Sequence, residues 1–420
     1  MGIEQVFEEW CIYAQKKELK EREADLARLE ANSKLKIVAV TGIRRSGKSS
    51  LLHLLYQRLK KEDKPVGYIH IEDSRIRNEK NVLDEILKWF GDSGYLLLDE
   101  ITYANDWEGW LARNHEMLKG KLHLIVSSSR GKLITPIKPL RGRMLPFELY
   151  PLSFNEFLKF SSIPVEKTTA GIGKVERALN DYLKYGGFPE VVLEENKTEK
   201  INLLNSYFKD ILGLDVAEVS GENVTTVELF GKYIIDAPYF SASQCLKFFK
   251  SVGYKIGKQS ILYLEKFSQE AYLFHFVPIF SYTIKDRSQY PRKAYIGDTG
   301  FMYAISGRTD LGRLFENSVF IELKRRLPKN QEINYWKNKA GREADFVIRE
   351  GLKAKQIIQV VYGIEENKTK EREIQGLVEC AKENNLKEGL IINKDISKIE
   401  TVEGIKIRYV SLWEWLLETK

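Results

Sequence analysis

The sequence predicts an α/β fold in which a parallel sheet is covered by helices on both faces. Three observations carry this expectation. Short apolar runs alternate with amphipathic stretches from residue 36 to residue 149. One of these runs leads directly into a glycine-bounded octapeptide and then a leucine-rich helix. Another ends in two adjacent acids. Continuous apolar strands separated by helices are the pattern of strands buried on both faces.

Taken in order, residues 3–31 read as one helix. Val6, Phe7, Trp10, Ile12 and Tyr13 supply its apolar side, and acids and bases three and four apart follow from Lys16. Strands are expected at 36–41, 66–71, 95–98, 122–127 and 144–149, and helices at 50–61, 82–90 and 107–118. From Pro151 the pattern turns helical. A compact helical unit with strand-like pieces lies between Val224 and Gly300, and helix, strands, helix and strand follow Gly307. The expected domains are an N-terminal helix (1–34), a P-loop core (35–150), a helical lid (151–222), a winged helix-turn-helix (223–304) and a C-terminal α/β domain (305–420).

The octapeptide Gly42-Ile43-Arg44-Arg45-Ser46-Gly47-Lys48-Ser49 fits GxxxxGK[ST] between a strand and a helix. Glycines let the loop turn back and offer N–H groups to phosphate oxygens, and the helix adds its positive end. Lys48 is placed to reach the β- and γ-phosphates and the Ser49 hydroxyl to ligate magnesium. Gly42, Arg44, Arg45, Ser46, Gly47, Lys48, Ser49 and Ser50 are thus expected to bind ATP. The strand at 95–98 delivers Asp99 and Glu100 to the C-terminal edge of the sheet, where ligands of such folds bind. Asp99 would hold Mg2+ through water, and Glu100 would activate the attacking water. At the end of the next strand, Ser128, with Ser127 and Ser129 beside it, is either a γ-phosphate sensor or a helix cap. Arg143, with Arg141 near it, is a candidate arginine finger acting in cis or on a neighbouring subunit of a homo-oligomer.

Composition excludes several other classes. The three cysteines are far apart and there are only five histidines, which argues against a disulfide framework and a zinc site. The start has no basic n-region, and no apolar run approaches the ~20 residues a bilayer needs. A cytoplasmic protein without a membrane partner is therefore expected. The net charge of +7 is compatible with nucleic acid.

Residues 241–253 and 258–274 read as two helices around a Gly-containing turn. Two strands joined by IKDRSQYPRK follow, which gives a winged helix-turn-helix outline. Lys255, Lys258 and Lys266, and on the wing Lys285, Arg287, Arg292 and Lys293, are candidate DNA-phosphate contacts. A rigid protein-contact module is the alternative.

Together, TGIRRSGKSSLL, YLLLDEIT, RGRMLPFELYPLSFNEFL, YLKYGGFPEVV, FENSVFIELKRR, GREADFVI and QVVYG occur in an order that resembles a known family. It is the archaeal and bacterial AAA-like P-loop ATPases with a C-terminal restriction-endonuclease-like domain of unknown function. The resemblance spans roughly residues 30–415. It implies that Pro189, in Gly187-Phe188-Pro189, packs near the adenine and couples the lid to nucleotide state. A helix stopped by Gly186-Gly187 accounts for the same residues.

The resemblance also implies a metal-binding set, with Glu316 on a helix, Asp345 on a strand and Gln359 on the next, where Glu343 is a weak extra ligand. Val361 stands where a nuclease needs lysine. Lys355 is ~13 Å along the strand from Gln359, and Lys368 and Lys370 lie on the following segment. The domain is thus expected to be a degenerate nuclease fold. The leading expectation is a Mg2+-dependent ATPase acting as a DNA-binding switch or remodelling factor. The alternatives are an ATP-gated nuclease and a non-nuclease signalling or defence scaffold assembled by ATP.

Overall fold

The computed structural model describes residues 2–129, 138–363 and 367–418, without the side chains of 138 and 367–370. It divides into two units, Met1–Pro151 and Leu152–Lys420.

The first unit contains β1 (Ile37–Thr41), β2 (Val66–His70), β3 (Gly94–Asp99), β4 (Leu122–Ser127) and β5 (Met144–Glu148). Its helices are α1 (Ile3–Lys16), α2 (Leu26–Ser33), α3 (Lys48–Lys61), α4 (Val82–Phe90) and α5 (Trp107–Met117). The sheet runs β2-β3-β4-β1-β5 with every pairing parallel. Period-two alternation sends each strand to both sides. Ile37, Ala39, Leu96, Leu98 and Val126 pack with α4 and α5, whereas Val38, Val40, Leu97 and Ile125 pack with α3.

One expectation is corrected here. The single helix read over 3–31 is two helices, broken between Lys16 and Leu26. Asp25 caps α2 by accepting the Arg28 N–H at 2.9 Å. Inside the break, the Arg22 guanidinium donates to the carbonyls of Ser46 (2.8 Å) and Tyr150 (3.0 Å). Ion pairs three and four apart contribute only about 0.2–0.5 kcal/mol each. Charge-assisted tertiary bonds and a cap outweigh them.

In the second unit, α6 (Phe154–Phe160), α7 (Thr169–Tyr185), α8 (Pro189–Leu193) and α9 (Lys197–Asp210) come first. A π-helical stretch (Ile211–Ala217), α10 (Glu218–Ser220) and α11 (Val224–Asp236) continue the chain. Next are β6 (Tyr239–Phe240), α12 (Ala242–Ser251), α13 (Lys258–Glu270), β7 (Phe274–Val277), α14 (Ile284–Gln289) and β8 (Arg292–Ile296). Their strands form an antiparallel sheet in the order β6-β8-β7. The connection expected to be a plain strand-joining loop thus contains α14, capped by Thr283, and a third strand joins from upstream.

The remainder is α15 (Gly300–Ser306), α16 (Leu311–Arg326), β9 (Gln331–Lys337), β10 (Glu343–Glu350), β11 (Lys353–Val361), α17 (Asn367–Glu383), β12 (Glu388–Asn393), β13 (Lys398–Val402), β14 (Ile405–Ser411) and α18 (Leu412–Leu417). A six-stranded mixed sheet, β13-β14-β12-β11-β10-β9, organises it.

A buried clamp joins distant parts of this unit. The Asp298 carboxylate accepts the N–H groups of Gly187 (2.8 Å) and Gly300 (2.9 Å). Gly186 turns with φ +75°, and a Cβ there would lie 1.6 Å from Asp298 Oδ1, so no other residue fits. Burial pushes the Asp298 carboxyl up to about 7, against the lowering effect of the two N–H donors. Pro189 opens α8 directly after this turn, as its first helical residue. No described helix is long and apolar enough to cross a membrane.

Candidate functional site

The P-loop leaves β1 at Thr41 and enters α3 at Lys48. At Gly42 (φ +146°) the backbone passes so close to β5's end that a Cβ would sit 2.1 Å from the Leu149 carbonyl oxygen. The Lys48 ammonium is buried and donates to the carbonyls of Gly42 (3.0 Å) and Ile43 (3.2 Å). Ser46 Oγ is buried and has no hydrogen-bond partner among the described residues. An orphaned hydroxyl in a loop of N–H groups at a helix start fits a phosphate oxygen. The described loop residues therefore suit the phosphates of a nucleotide, with Arg44 and Arg45 in the loop and Ser49 and Ser50 in the first turn of α3.

Asp99 and Glu100 stand at the end of β3, on the same edge as the loop. Asp99 is fully buried. The Tyr68 hydroxyl donates to its Oδ2 at 2.8 Å, and the Ser127 hydroxyl donates to its Oδ1. Ser127 Oγ also accepts the Glu100 N–H at 3.1 Å. Glu100 takes the left-handed conformation (φ +53°), which turns its side chain toward the end of β4. There the Ser129 N–H donates to both carboxylate oxygens at 3.1 Å. Burial raises the Glu100 carboxyl above its ordinary value. Lys48 and Arg44 oppose the rise and Asp99 adds to it. A carboxylate lifted toward neutrality beside a phosphate cradle suits proton abstraction from water.

Ser128, the expected sensor, pairs with Thr102 Oγ1 at 2.9 Å. The two neighbouring serines hold the carboxylates instead. Ser127, the last residue of β4, acts through its side chain, and Ser129, beyond the strand, acts through its backbone N–H. Arg143 lies at the wrong edge of the sheet for a finger in cis. Its carbonyl accepts the N–H of Ile37, at the start of β1, and roughly 13 Å of strand separates that point from the P-loop. Its guanidinium meets the Pro139 carbonyl at 3.0 Å and Glu116 at 3.5 Å. Arg141 is exposed.

A second cluster lies wholly in the second unit, in a cleft of about 610 Å3. Glu316, Asp345 and Gln359 meet there, as do Glu343 and one residue expected elsewhere, Lys293. The reading of Lys293 as a DNA-phosphate contact is corrected. The residue is 5% exposed, and its ammonium reaches Glu343 at 2.7 Å, Asp345 at 2.8 Å and Glu316 at 2.9 Å. Burial disfavours this charge, but Asp345, Glu316 and Glu343 outweigh it and hold Lys293 well above its ordinary value. The Asp345 carboxyl is pushed up to about 7 by burial, despite the lysine. Gln359 Oε1 accepts the Asp345 N–H at 3.1 Å, and Asp345 Oδ2 accepts the Val360 N–H at 2.9 Å. Val361 is core, and Lys355 pairs with Glu350. The side chains of Lys368 and Lys370 lie outside the described residues. The missed signal was the alternation in RKAYI, which puts Lys293 and Tyr295 on one strand face.

Of the remaining DNA candidates, Lys255, Lys258, Lys266 and Lys285 are exposed and Arg287 is half-buried. Arg292 is half-buried against Glu265, and Lys266 has Glu270 at 3.8 Å.

A family model described as an AAA domain matches residues 34–158. Two described as domains of unknown function, DUF8612 and DUF4143, match residues 176–312 and 311–414. The uncharacterized protein MJ1544 of Methanocaldococcus jannaschii is 33% identical over 402 residues, covering 91% of this chain and 88% of that protein. An uncharacterized protein of Haemophilus influenzae is 27% identical over 408 residues, covering 91% and 94%. AMPPCP-bound DnaA from Aquifex aeolicus has 14% identity and a TM-score of 0.27, over 58% of this chain and 85% of that one. A signal transduction ATPase with numerous domains from Pyrococcus horikoshii has 15% identity and a TM-score of 0.29, over 75% and 47%.

Proposed function

This chain belongs to the family of the Methanocaldococcus jannaschii protein MJ1544, and from that premise we propose that it is a Mg2+-dependent ATPase that acts as a nucleotide-driven switch on DNA. The observation that carries the hydrolytic reading is the seating of Asp99 and Glu100. Ser127 bridges the two residues, and Ser129 holds the base, beside a P-loop whose lysine is already buried in place. In this reading Ser49 and Asp99 hold the ion, Lys48 and the loop N–H groups hold the phosphates, and Glu100 takes the proton of the attacking water. The ion supplies Lewis-acid stabilisation of charge on the phosphates.

The DNA reading is supported by the order helix, strand, helix, helix, strand, short helix, strand from α11 to β8. Apart from α14, between the last two strands, that is the order of a winged helix. On α13, Lys258, Leu262 and Lys266 recur every fourth residue on an exposed stripe, with Tyr263 beside them and Tyr254 and Lys255 before the helix. Exposed bases interleaved with aromatic rings suit phosphates and bases together. The test is steady-state ATP hydrolysis with duplex, single-stranded and branched DNA at low salt, with Lys48→Ala as the blank. Stimulation by one DNA form that is lost in Lys258→Ala/Lys266→Ala is the expected result. Equal rates with every DNA would overturn the DNA part and leave the ATPase reading standing.

A further inference from the structure

Lys293 reaches the acidic cluster from β8, upstream of the helix and strands that carry the acids. A lysine ammonium has three protons and no acceptor. Here three carboxylates lie at 2.7–2.9 Å, one for each proton. The carboxylates are themselves fixed from behind. The Tyr295 hydroxyl donates to Glu316 at 2.5 Å, the Tyr239 hydroxyl donates to Glu343 at 2.5 Å, and the Val360 N–H donates to Asp345 at 2.9 Å. Lys337 adds an outer contact to Glu343 at 3.2 Å. An ammonium saturated in this way has no proton left for a phosphate oxygen. Its position is at the focus of the acids, where a cation belongs. Among the described residues, no set of three or more His, Cys, Asp and Glu side chains is arranged to hold a metal ion. The geometry therefore does not fit the divalent metal that a restriction-endonuclease-like centre uses.

We propose that the chain supplies its own cation at this site: Lys293 fills the place of a divalent metal among Glu316, Glu343 and Asp345, and so makes the cleft a metal-free centre that does not hydrolyse phosphodiesters. Charge supports this arrangement. With all three carboxyls ionised and Lys293 and Lys337 present, one excess negative charge remains. Without Lys293 two remain, in a cleft of about 610 Å3 wide enough to admit a hydrated ion. The ammonium also ties β8 to α16 and β10, so the lock fixes the three-stranded sheet against the C-terminal sheet within this unit. The inference stands apart from the ATPase reading, because no residue of the P-loop takes part.

The test is Mn2+ binding to the nucleotide-free full chain, followed through the free-ion electron paramagnetic resonance signal. Wild type and Lys293→Arg are expected to show no saturable site at millimolar Mn2+. Lys293→Met is expected to gain one site at least about tenfold tighter, which is about 1.4 kcal/mol, and Lys293→Met/Asp345→Asn is expected to lose it. Two results would overturn the proposal. One is a saturable Mn2+ site in wild type that disappears in Asp345→Asn, with or without Mn2+-dependent nicking of DNA. The other is a folded Lys293→Met chain with no gained site. If Lys293→Met does not fold, the comparison of wild type with Asp345→Asn still decides.

Discussion

Replacing Ser127 by alanine removes one hydroxyl with two partners. Its oxygen accepts the Glu100 N–H at 3.1 Å, and its proton goes to Asp99 Oδ1. Ser127 and Asp99 are both fully buried, so water does not replace either bond. The variant leaves a buried N–H without that acceptor and a carboxylate oxygen without that donor. Each unsatisfied buried group costs about 1–3 kcal/mol. Relaxation around the small cavity recovers part of this, so a net loss of about 2–3 kcal/mol is expected. Where the same bonds hold Asp99 and Glu100 in their reactive positions, about 2–3 kcal/mol becomes roughly 30- to 150-fold in kcat. Ser128→Ala is the comparison, since its hydroxyl meets Thr102 at 2.9 Å. It is expected to cost less than about tenfold in kcat, in line with about 0.5–1.5 kcal/mol for an ordinary hydrogen bond. The assay is hydrolysis at saturating Mg2+-ATP, with urea melts beside it. A Ser127→Ala rate within twofold of wild type, with Ser128→Ala the slower enzyme, would refute the assignment.

Glu100→Gln should retain ATP binding and lose about 10^2- to 10^4-fold in kcat, and a fluorescent-nucleotide titration with a turnover assay separates the two. Because burial raises the Glu100 carboxyl, the base is lost as pH falls through a value above that of an ordinary glutamate. An acid limb of kcat at or below the ordinary value would contradict this. Gly186→Ala drives a Cβ onto Asp298 at a φ of +75° and is expected to lose about 2–4 kcal/mol of stability in urea melts. Asp298 is raised to about 7 in the fold from 3.8, so the folded chain holds a proton that the unfolded chain has released. Its contribution to stability is therefore present at low pH and falls as pH rises through that window, by up to roughly 4 kcal/mol. The amide introduced by Asp298→Asn does not titrate, so wild type should lose stability relative to the variant between about pH 4 and pH 7. A pH-independent difference would show that Asp298 is ionised throughout.

The ATPase core was legible because its signals are local. Apolar strands, a GxxxxGK[ST] loop and an acid pair each report on residues a few positions apart. The alternation of strands and helices then limits the sheet to a parallel one. The N-terminal helix failed because its ion pairs are weak, and because Arg22 finds backbone carbonyls far along the chain. Which of three consecutive serines meets which partner was not legible: Ser127 bonds Asp99, whereas Ser128 meets Thr102. The lysine in the C-terminal cluster was sought downstream of Gln359, at Lys355, Lys368 and Lys370, whereas it comes from residue 293.

The sequence by itself determined the parallel sheet, the phosphate loop and the edge where Asp99 and Glu100 emerge. Periodicity and short motifs encode these within one or two elements. Only the tertiary structure decided which serine holds which carboxylate, that Gly186 is required by Asp298, and that Lys293 is a buried counter-ion and no surface contact. Each of these depends on which distant strands are neighbours. A charge is stable in a buried site only when the whole fold brings its partners within hydrogen-bonding distance.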